Sequence, residues 1–360
     1  MKKVLFIVPY PAEGASNRFR VLQFLPGLER EGIAGRVRPF YNRPLWRVLY
    51  RRGCYFRKIF WGMFCAANRL LDLFRSLAYD IVFIHRECFP VGSGWFERIL
   101  TLAGRKYIYD FDDAIYLPNV ARPNRLFGRL KCPGKVASIV RRSRLTIAGN
   151  RYLAEFARNA GAGRVVVLPT VVDTDRFRPA EKDGSAGNLV IGWIGSPTTI
   201  EFLERFREVF DRVAERTEAA VTFRVVGGQL ALPLPACVEC VPWTLETEVE
   251  ELHRFDVGIM PMPDNEWTRG KCAFKAIEYM AVGIPAVCSP VGINVELIED
   301  GVNGFLADDS GAWTEILVRL AEDPELRARI GLAGRKTVEE HYSLRMALPQ
   351  LTAAILEALD

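Results

Sequence analysis

The chain has 360 residues, 49% of them hydrophobic and 25% charged, with a formal net charge of +5. This is a globular composition, too apolar for a disordered chain and too weakly basic to demand a nucleic-acid partner. Single cores rarely grow past about 250–300 residues, so the length implies two domains.

The N-terminus reads MKKVLFIVPY, with an apolar run only from Val4 to Val8 before Pro9. A secretory leader carries about 7–15 apolar residues ending in small ones, so the run is expected to be a buried first strand of a protein that is not exported. No stretch reaches the ~18 apolar residues of a membrane span. The eight cysteines are scattered, as reduced thiols in a cytosol would be. After the first strand comes PYPAEGASNRFR, with Gly14 in the turn and Asn17 and Arg18 opening a helix. Arg18 or Arg20 could assist an anionic ligand there. From Tyr41 to Arg75, eight basic residues stand against one acid, Asp72, with aromatic residues interleaved. The pattern suits an anionic bilayer surface. It equally suits a helix whose aromatics face the core and whose arginines face water. No nucleic-acid motif accompanies it.

FIHRE ends the strand Ile81–Ile84 and offers His85 as a candidate base, although a lone histidine is more often structural. YIYDFDDAIY then sets Asp110, Asp112 and Asp113 after the strand Lys106–Tyr109. Asp-x-Asp can chelate a divalent metal. Acceptor positioning or polarisation of a reacting centre by Asp112 or Asp113, and capping of the loop, are the other readings. Three acids this close are expected to raise at least one pKa by mutual repulsion.

Further strand-like runs are Leu145–Ile147 and Val165–Leu168, then Leu189–Ile194, Val221–Val226, Val257–Met260, Ala286–Cys288 and Gly304–Leu306. Amphipathic stretches such as Glu201–Arg212 and Thr247–Arg254 lie between them. Strands alternating with helices specify an α/β chain with parallel sheets covered on both faces. RPAEKDGSAGN, Arg178 to Asn188, reads as a linker. The expected organisation is a doubly wound domain over 1–178, a linker at 179–188, a second over 189–343, and a helical segment, 344–360, free to pack back on the first domain. Two such domains facing across a cleft would bind ligands beyond the carboxyl ends of their strands.

Cys237 and Cys240 form a lone C-x-x-C. Zinc needs a second ligand pair, so the pair is read as small residues in a loop beside a strand. In FDVGIMPMPDNEWTRGKCAFKAIEYMAVGIPAV the order is strand, loop, helix, strand. The loop delivers Arg269, Gly270 and Lys271 to the expected helix start, an anion site by its free N–H groups and dipole. Lys271 and Lys275 are four apart and Lys275 and Glu278 three apart, so each pair would share a face. Cations beside a helix start fit a diphosphate, and a carboxylate one turn on can accept from sugar hydroxyls. The alternative is an exposed Lys275–Glu278 ion pair worth at most ~1 kcal/mol. Trp193, Trp243 and Trp267 could stack on a base or sugar, or fill the core.

These residues resemble a known family. K-x-x-EYMA-x-G-x-P-x-V followed by SPVGINVELIEDGVNGFL is similar to the C-terminal domain of the GT-B nucleotide-sugar glycosyltransferases, in the retaining family that includes sucrose synthases and bacterial mannosyltransferases. VIGWIGSPTT resembles that domain's first glycine turn, LPTVVDTDRFRP its exit from the first domain, and YDFDDAIY a motif of a bacterial branch. The resemblance implies a GT-B fold and transfer of a sugar from a nucleotide-diphosphate sugar to a glycan or lipid-linked acceptor in cell-envelope synthesis. It implies no metal or cofactor, and a cytoplasmic protein, peripheral at a membrane if 41–75 binds one.

By the same resemblance Glu278 contacts the ribose, Glu296 matches the acid of G-x-x-x-E-L-I, and Gly14 faces the site. Asp112 or Asp113 replaces a family histidine. The family's first glutamate falls at Gly270 and is missing. Its basic turn after the domain's first strand is Gly195-Ser196-Pro197-Thr198-Thr199, without a cation, so Arg269, Lys271 or Lys275 would neutralise the diphosphate as it leaves. Those departures motivate a non-catalytic nucleotide- or glycan-binding subunit as the alternative. A nucleotide-sugar epimerase on the same fold is the third reading.

Overall fold

A computed structural model describes residues 1–49, 51, 53–117, 132, 134–180, 188–196, 199–230 and 237–360. Most of the expected linker (181–187) and Tyr50, Arg52, Pro197 and Thr198 lie outside the described residues. The chain divides into two compact units: Met1–Thr170 with Gly270–Cys272 and Ala347–Asp360, and Val171–Arg269 with Ala273–Met346.

The first unit is built on β1 (Lys2–Val8), β2 (Ile33–Pro39), β3 (Ile81–His85), β4 (Tyr107–Phe111), β5 (Leu145–Ala148) and β6 (Val165–Val167), in the order β2-β1-β3-β4-β5-β6. Every pairing is parallel. Parallel neighbours need helical crossovers that cover both faces. Accordingly β3, β4 and β5 are buried from end to end. The second unit repeats the plan with β7 (Asn188–Ile194), β8 (Ala220–Val226), β9 (Val238–Val241), β10 (Val257–Met260), β11 (Ala286–Cys288) and β12 (Phe305–Leu306), in the order β12-β11-β10-β7-β8-β9. Its pairings are parallel too. Each sheet reverses its winding once, at β1/β3 and at β7/β10, and open α/β sheets present their ligand crevices beyond such switch points.

Two strands escape the sequence reading, β2 and β9, and both are edges. An edge strand is covered on fewer sides and carries charges outward, so it shows no apolar run; β2 holds Arg36 and Arg38. Cys240 lies in β9 rather than in a loop. The expected helix over Glu201–Arg212 is two, Glu201–Glu204 and Arg207–Arg216. The closing helix, Leu344–Leu359, has its last thirteen residues in the first unit, where Leu348 lies close over Gly27 and Glu357 meets Arg164 at 2.8 Å.

The basic, aromatic segment gives the largest correction. Tyr55–Arg75 is one 21-residue helix. Its inward seam is Lys58, Cys65, Arg69 and Asp72, not the aromatics. Arg69 is fully buried, bonded to Asp72 (3.1 Å), Val8 O (2.9 Å) and Arg38 O (3.1 Å). Asp72 also receives Arg38 (3.0 Å) and Arg75 (2.8 Å). Phe56 and Phe74 are 90% and 73% exposed. Of the helix's aromatics Trp61 is half-buried, against Phe40, Leu45, Val48 and Cys65, while Tyr55, Phe56, Phe60, Phe64 and Phe74 are exposed, so inward packing holds for one ring and not for the rest. Urea unfolding checks the orientation. Arg69→Ala takes one of three arginines from a buried aspartate and leaves two main-chain carbonyls without their donor, and is expected to cost about 3 kcal/mol, whereas Phe56→Ala should stay within about 0.5 kcal/mol of the parent. The opposite ranking would mean the aromatic face points inward.

Candidate functional site

In the first unit the chemistry gathers at the β1/β3 switch point. Gly14 caps the helix Ala15–Arg20. A Cβ there would stand 2.4 Å from Tyr10 Cβ, so the turn is closed to larger residues. This places Ser16 in the first helical turn, opposite the end of β3. His85 ends β3, is fully buried, and has Nδ1 2.6 Å from Asp110 Oδ2 and Nε2 2.6 Å from Ser16 Oγ. Ser16 donates to Asp112 Oδ2 at 2.7 Å. Ser16 Oγ thus bridges His85 and Asp112, and both His85 ring nitrogens are engaged within the protein.

Asp110 lies within β4, not after it. Arg20 forms an ion pair with it and donates to Leu168 O at 2.6 Å. Arg20 is thus buried and committed to the protein, not offered to an anionic ligand. Burial opposes ionisation of Asp110, but the charge of Arg20 and the hydrogen bond from His85 outweigh it and hold the carboxyl below the usual range. Asp112 follows the same logic. Burial again raises, yet Arg86, then His85, pull it far below the ordinary aspartate value. The expected upward shift by mutual repulsion is therefore reversed at both acids, because each carboxylate has its own cation.

Arg86 supplies that cation from a backbone held in the left-handed region, φ 60. Non-glycine residues enter it at a cost. Its N–H donates to Asp110 O at 2.7 Å, and its guanidinium reaches Asp112 Oδ1 at 2.7 Å and Asp113 Oδ2 at 3.3 Å. On Asp113 the other oxygen lies 3.5 Å from Lys271 Nζ. Asn150, beyond β5, caps its own helix by accepting from Leu153 N and donates to the carbonyls of Gly270 (3.2 Å) and Lys271 (3.0 Å). Cys272 Sγ meets Asp112 O at 3.1 Å. Its thiol is pushed up to about 12, first by burial and then by Asp112. A Cβ on Gly270 would lie 2.6 Å from Ala114 Cβ and 3.1 Å from Ala114 N. The backbone at 270 is packed against the aspartate loop, and a glutamate side chain has no path out.

The second unit holds the remaining site residues. The helix begins at Phe274, after Ala273 at φ 51, not at Lys271. Lys271 therefore precedes the helix and shares no helical face with Lys275. Arg269 ends the short helix Glu266–Arg269 and grips Asp264 through two bonds, 2.6 and 2.9 Å, at the exposed surface. Lys275 lies beside Gly195, which follows β7. Its Nζ stands 5.4 Å from the Trp193 ring centroid, and a Cβ on Gly195 would meet Trp193 at 2.5 Å and Lys275 Cε at 2.9 Å. Trp193 is buried, Trp243 and Trp267 half-buried, and Ser196 exposed. Glu278 is only 4% exposed, which removes the exposed ion pair as its explanation. Tyr279 beside it fixes the helix to the sheet, donating to Ile259 O and accepting from Ile194 N, both at 3.2 Å. Glu296 is exposed in the four-residue helix Asn294–Leu297. Sequence reasoning missed Ser16, Arg86 and Asn150. Only Asn150 had a signal, an N-cap residue just after a strand.

Residues 188–323 match the family described as glycosyl transferases group 1. The chain is similar to the amylovoran biosynthesis glycosyltransferase AmsK of Erwinia amylovora, 33% identical over 130 residues, 35% of this chain and 32% of that protein. It is also similar to a D-inositol 3-phosphate glycosyltransferase of Streptomyces scabiei, 24% identical over 58% of this chain and 54% of that one. The chain thus spans about a third to a half of the curated relatives it matches. Among solved structures, HepE of Anabaena in complex with UDP-glucose superposes with a TM-score of 0.68 at 17% identity, over 99% of this chain and 100% of that one. Sucrose-phosphate synthase from Thermosynechococcus elongatus gives 0.71 at 15% identity, over 99% of both. The fold is GT-B, and within it residues 188–323 carry the match to the glycosyl transferases group 1 family.

Proposed function

We propose that the protein is a retaining glycosyltransferase. It moves a hexose-like sugar from a nucleotide-diphosphate sugar to a hydroxyl of a glycan or lipid-linked acceptor, without a metal, in cell-envelope synthesis at the cytoplasmic side of a membrane. The observation that carries this reading is the buried carboxylate of Glu278 within the family-matching domain. Its burial keeps it out of bulk water, and ribose hydroxyls are the ligand the family resemblance assigns to it. Lys275 is the cation placed at the glycine turn after β7, and in this reading it faces the diphosphate. The acceptor oxygen attacks the anomeric carbon on the leaving group's side, the sugar–phosphate bond breaks, and the acceptor proton passes to an oxygen of the departing nucleoside diphosphate. A leaving group that takes the proton leaves no task for a separate strong base, and both ring nitrogens of His85 are already engaged by Ser16 and Asp110. Asp112, held as an anion by Arg86, orients the acceptor or steadies positive charge on the reacting sugar.

Titration calorimetry with uridine, guanosine and adenosine diphosphates tests the donor side. One diphosphate should bind clearly tightest. Glu278→Gln should weaken it roughly 10- to 100-fold, since a charged hydrogen bond is worth about 1.5–3 kcal/mol. Unchanged affinity would remove Glu278 from the site. Nucleotide binding without nucleotide release from any sugar donor would favour the non-catalytic alternative.

Asp112→Asn should spare diphosphate affinity and depress turnover; equal turnover would exclude Asp112 from the reaction. The same variant reports on the held charge. A carboxyl depressed on folding stabilises the fold above about pH 4 and loses that contribution as pH falls toward its native value. The stability gap between parent and Asp112→Asn should therefore narrow by about 1 kcal/mol between pH 6 and pH 3 in urea unfolding. A gap that does not change with pH would mean the carboxyl is not held below its ordinary range.

A further inference from the structure

The Tyr55–Arg75 helix is amphipathic with its faces exchanged. Its buried seam is charged and polar, and its exposed face is apolar. Phe56, Phe60, Met63, Leu70 and Phe74, continued by Leu77 in the next turn, are all large, apolar and exposed. Their spacings are four, three, seven, four and three residues, with exposed Ala67 inside the longer step, so they form one straight stripe, about 30 Å long at ~1.5 Å per residue. Ile59 on one side and Phe64 and Leu71 on the other are exposed as well. At 100° per residue these widen the apolar arc to about 140°, broader than a coiled-coil seam. Monomeric soluble proteins seldom leave such a patch to water.

Charge selects the occupant. Arg57 and Arg75 are eighteen residues apart, five full turns, and lie along one edge of the stripe. Arg43, Arg47 and Arg51, just before the helix, are exposed too. Across the described residues from 43 to 75 the only acid is Asp72, and it is buried on the far side. Some of this charge is met internally, Arg75 by Asp72 and Arg43 by Glu13 at 3.3 Å. A second copy laid on the same face would set arginine rims against arginine rims, with no exposed acid on the helix to complement them, whereas paired helices use opposite charges there. Among the described residues no helix is long and apolar enough to cross a membrane.

We propose that this face docks on an anionic lipid bilayer surface, the helix lying in the interface plane with its phenylalanines among the acyl chains and its arginines at the phosphates. The inference rests on the helix alone and holds whatever reaction the site performs.

Flotation of the full chain with phosphatidylcholine vesicles, and with vesicles containing phosphatidylglycerol, tests it. The chain should float with the anionic vesicles and only weakly with the neutral ones. Phe60→Ser/Phe74→Ser should reduce flotation about tenfold or more, and Arg57→Glu several-fold. Raising salt should weaken the charge contribution. Because these side chains are exposed, the parent Tm and circular dichroism should be kept. No flotation of the parent, equal flotation with both vesicle types, or an undiminished double variant would overturn the proposal. A parent dimer that the double variant dissociates, with no flotation, would reassign the face to self-association.

Discussion

One buried carboxylate organises the first unit. Asp110 sits inside β4 and takes a guanidinium from the Ala15–Arg20 helix and an imidazole from the end of β3. Breaking a buried pair costs far more than forming it gains, so the three elements are held in one register. The consequences run outward from there. His85, fixed at Nδ1, presents Nε2 to Ser16; Ser16 gives its hydrogen to Asp112; and Arg86, whose backbone N–H is bound to Asp110 O, turns its guanidinium onto Asp112 and Asp113. The half-buried Asp112 is thus placed by an aspartate that never leaves the core.

The second unit positions its polar groups by a different device, the absence of side chains. Gly195 lets Lys275 and Trp193 come together where any Cβ would collide with both. Gly258 lets the Tyr279 ring lie on the sheet, which fixes the helix carrying Glu278. In the first unit the same device explains the residue that departs from the family pattern. Gly270 is pressed against Ala114, next to Asp113, so the glutamate that the family resemblance would set there would have to displace the aspartate loop. Loss of that side chain and the close packing of Asp112 and Asp113 are one structural fact.

The legible part of the fold was what local sequence encodes. Central strands such as β3 and β10 are buried on both faces and read as apolar runs, whereas the edges β2 and β9 carry charge and do not. Gly14, Gly195 and Glu278 stood out because turns and a short helix leave local marks. What stayed hidden depends on partners far apart in the chain. Asp112 looked like a member of a repelling trio because Arg86 is 26 residues away and Ser16 is 96. A serine in the first turn of a helix is too ordinary to notice until β3 brings a histidine to 2.6 Å. Likewise the start of the helix at Phe274 turns on an unusual backbone at Ala273, which composition does not reveal.

The Tyr55–Arg75 segment shows the sharper limit. Periodicity reports that a helix has two unlike faces, and it is silent on which one the fold covers. Here the decision falls to Asp72. One acid receives three arginines, Arg38, Arg69 and Arg75, and Arg69 also satisfies two main-chain carbonyls. Turning the helix over would bury phenylalanines but strip these charges of their partners. An uncompensated buried ion costs several kcal/mol, whereas fully burying one large apolar side chain contributes about 1.5–3 kcal/mol. The charged seam also reaches Val8 O at the end of β1, so it locks the helix to the carboxyl edge of the first sheet. An apolar face left outward by such a lock is fixed in direction, and a surface that meets it must meet it at that edge.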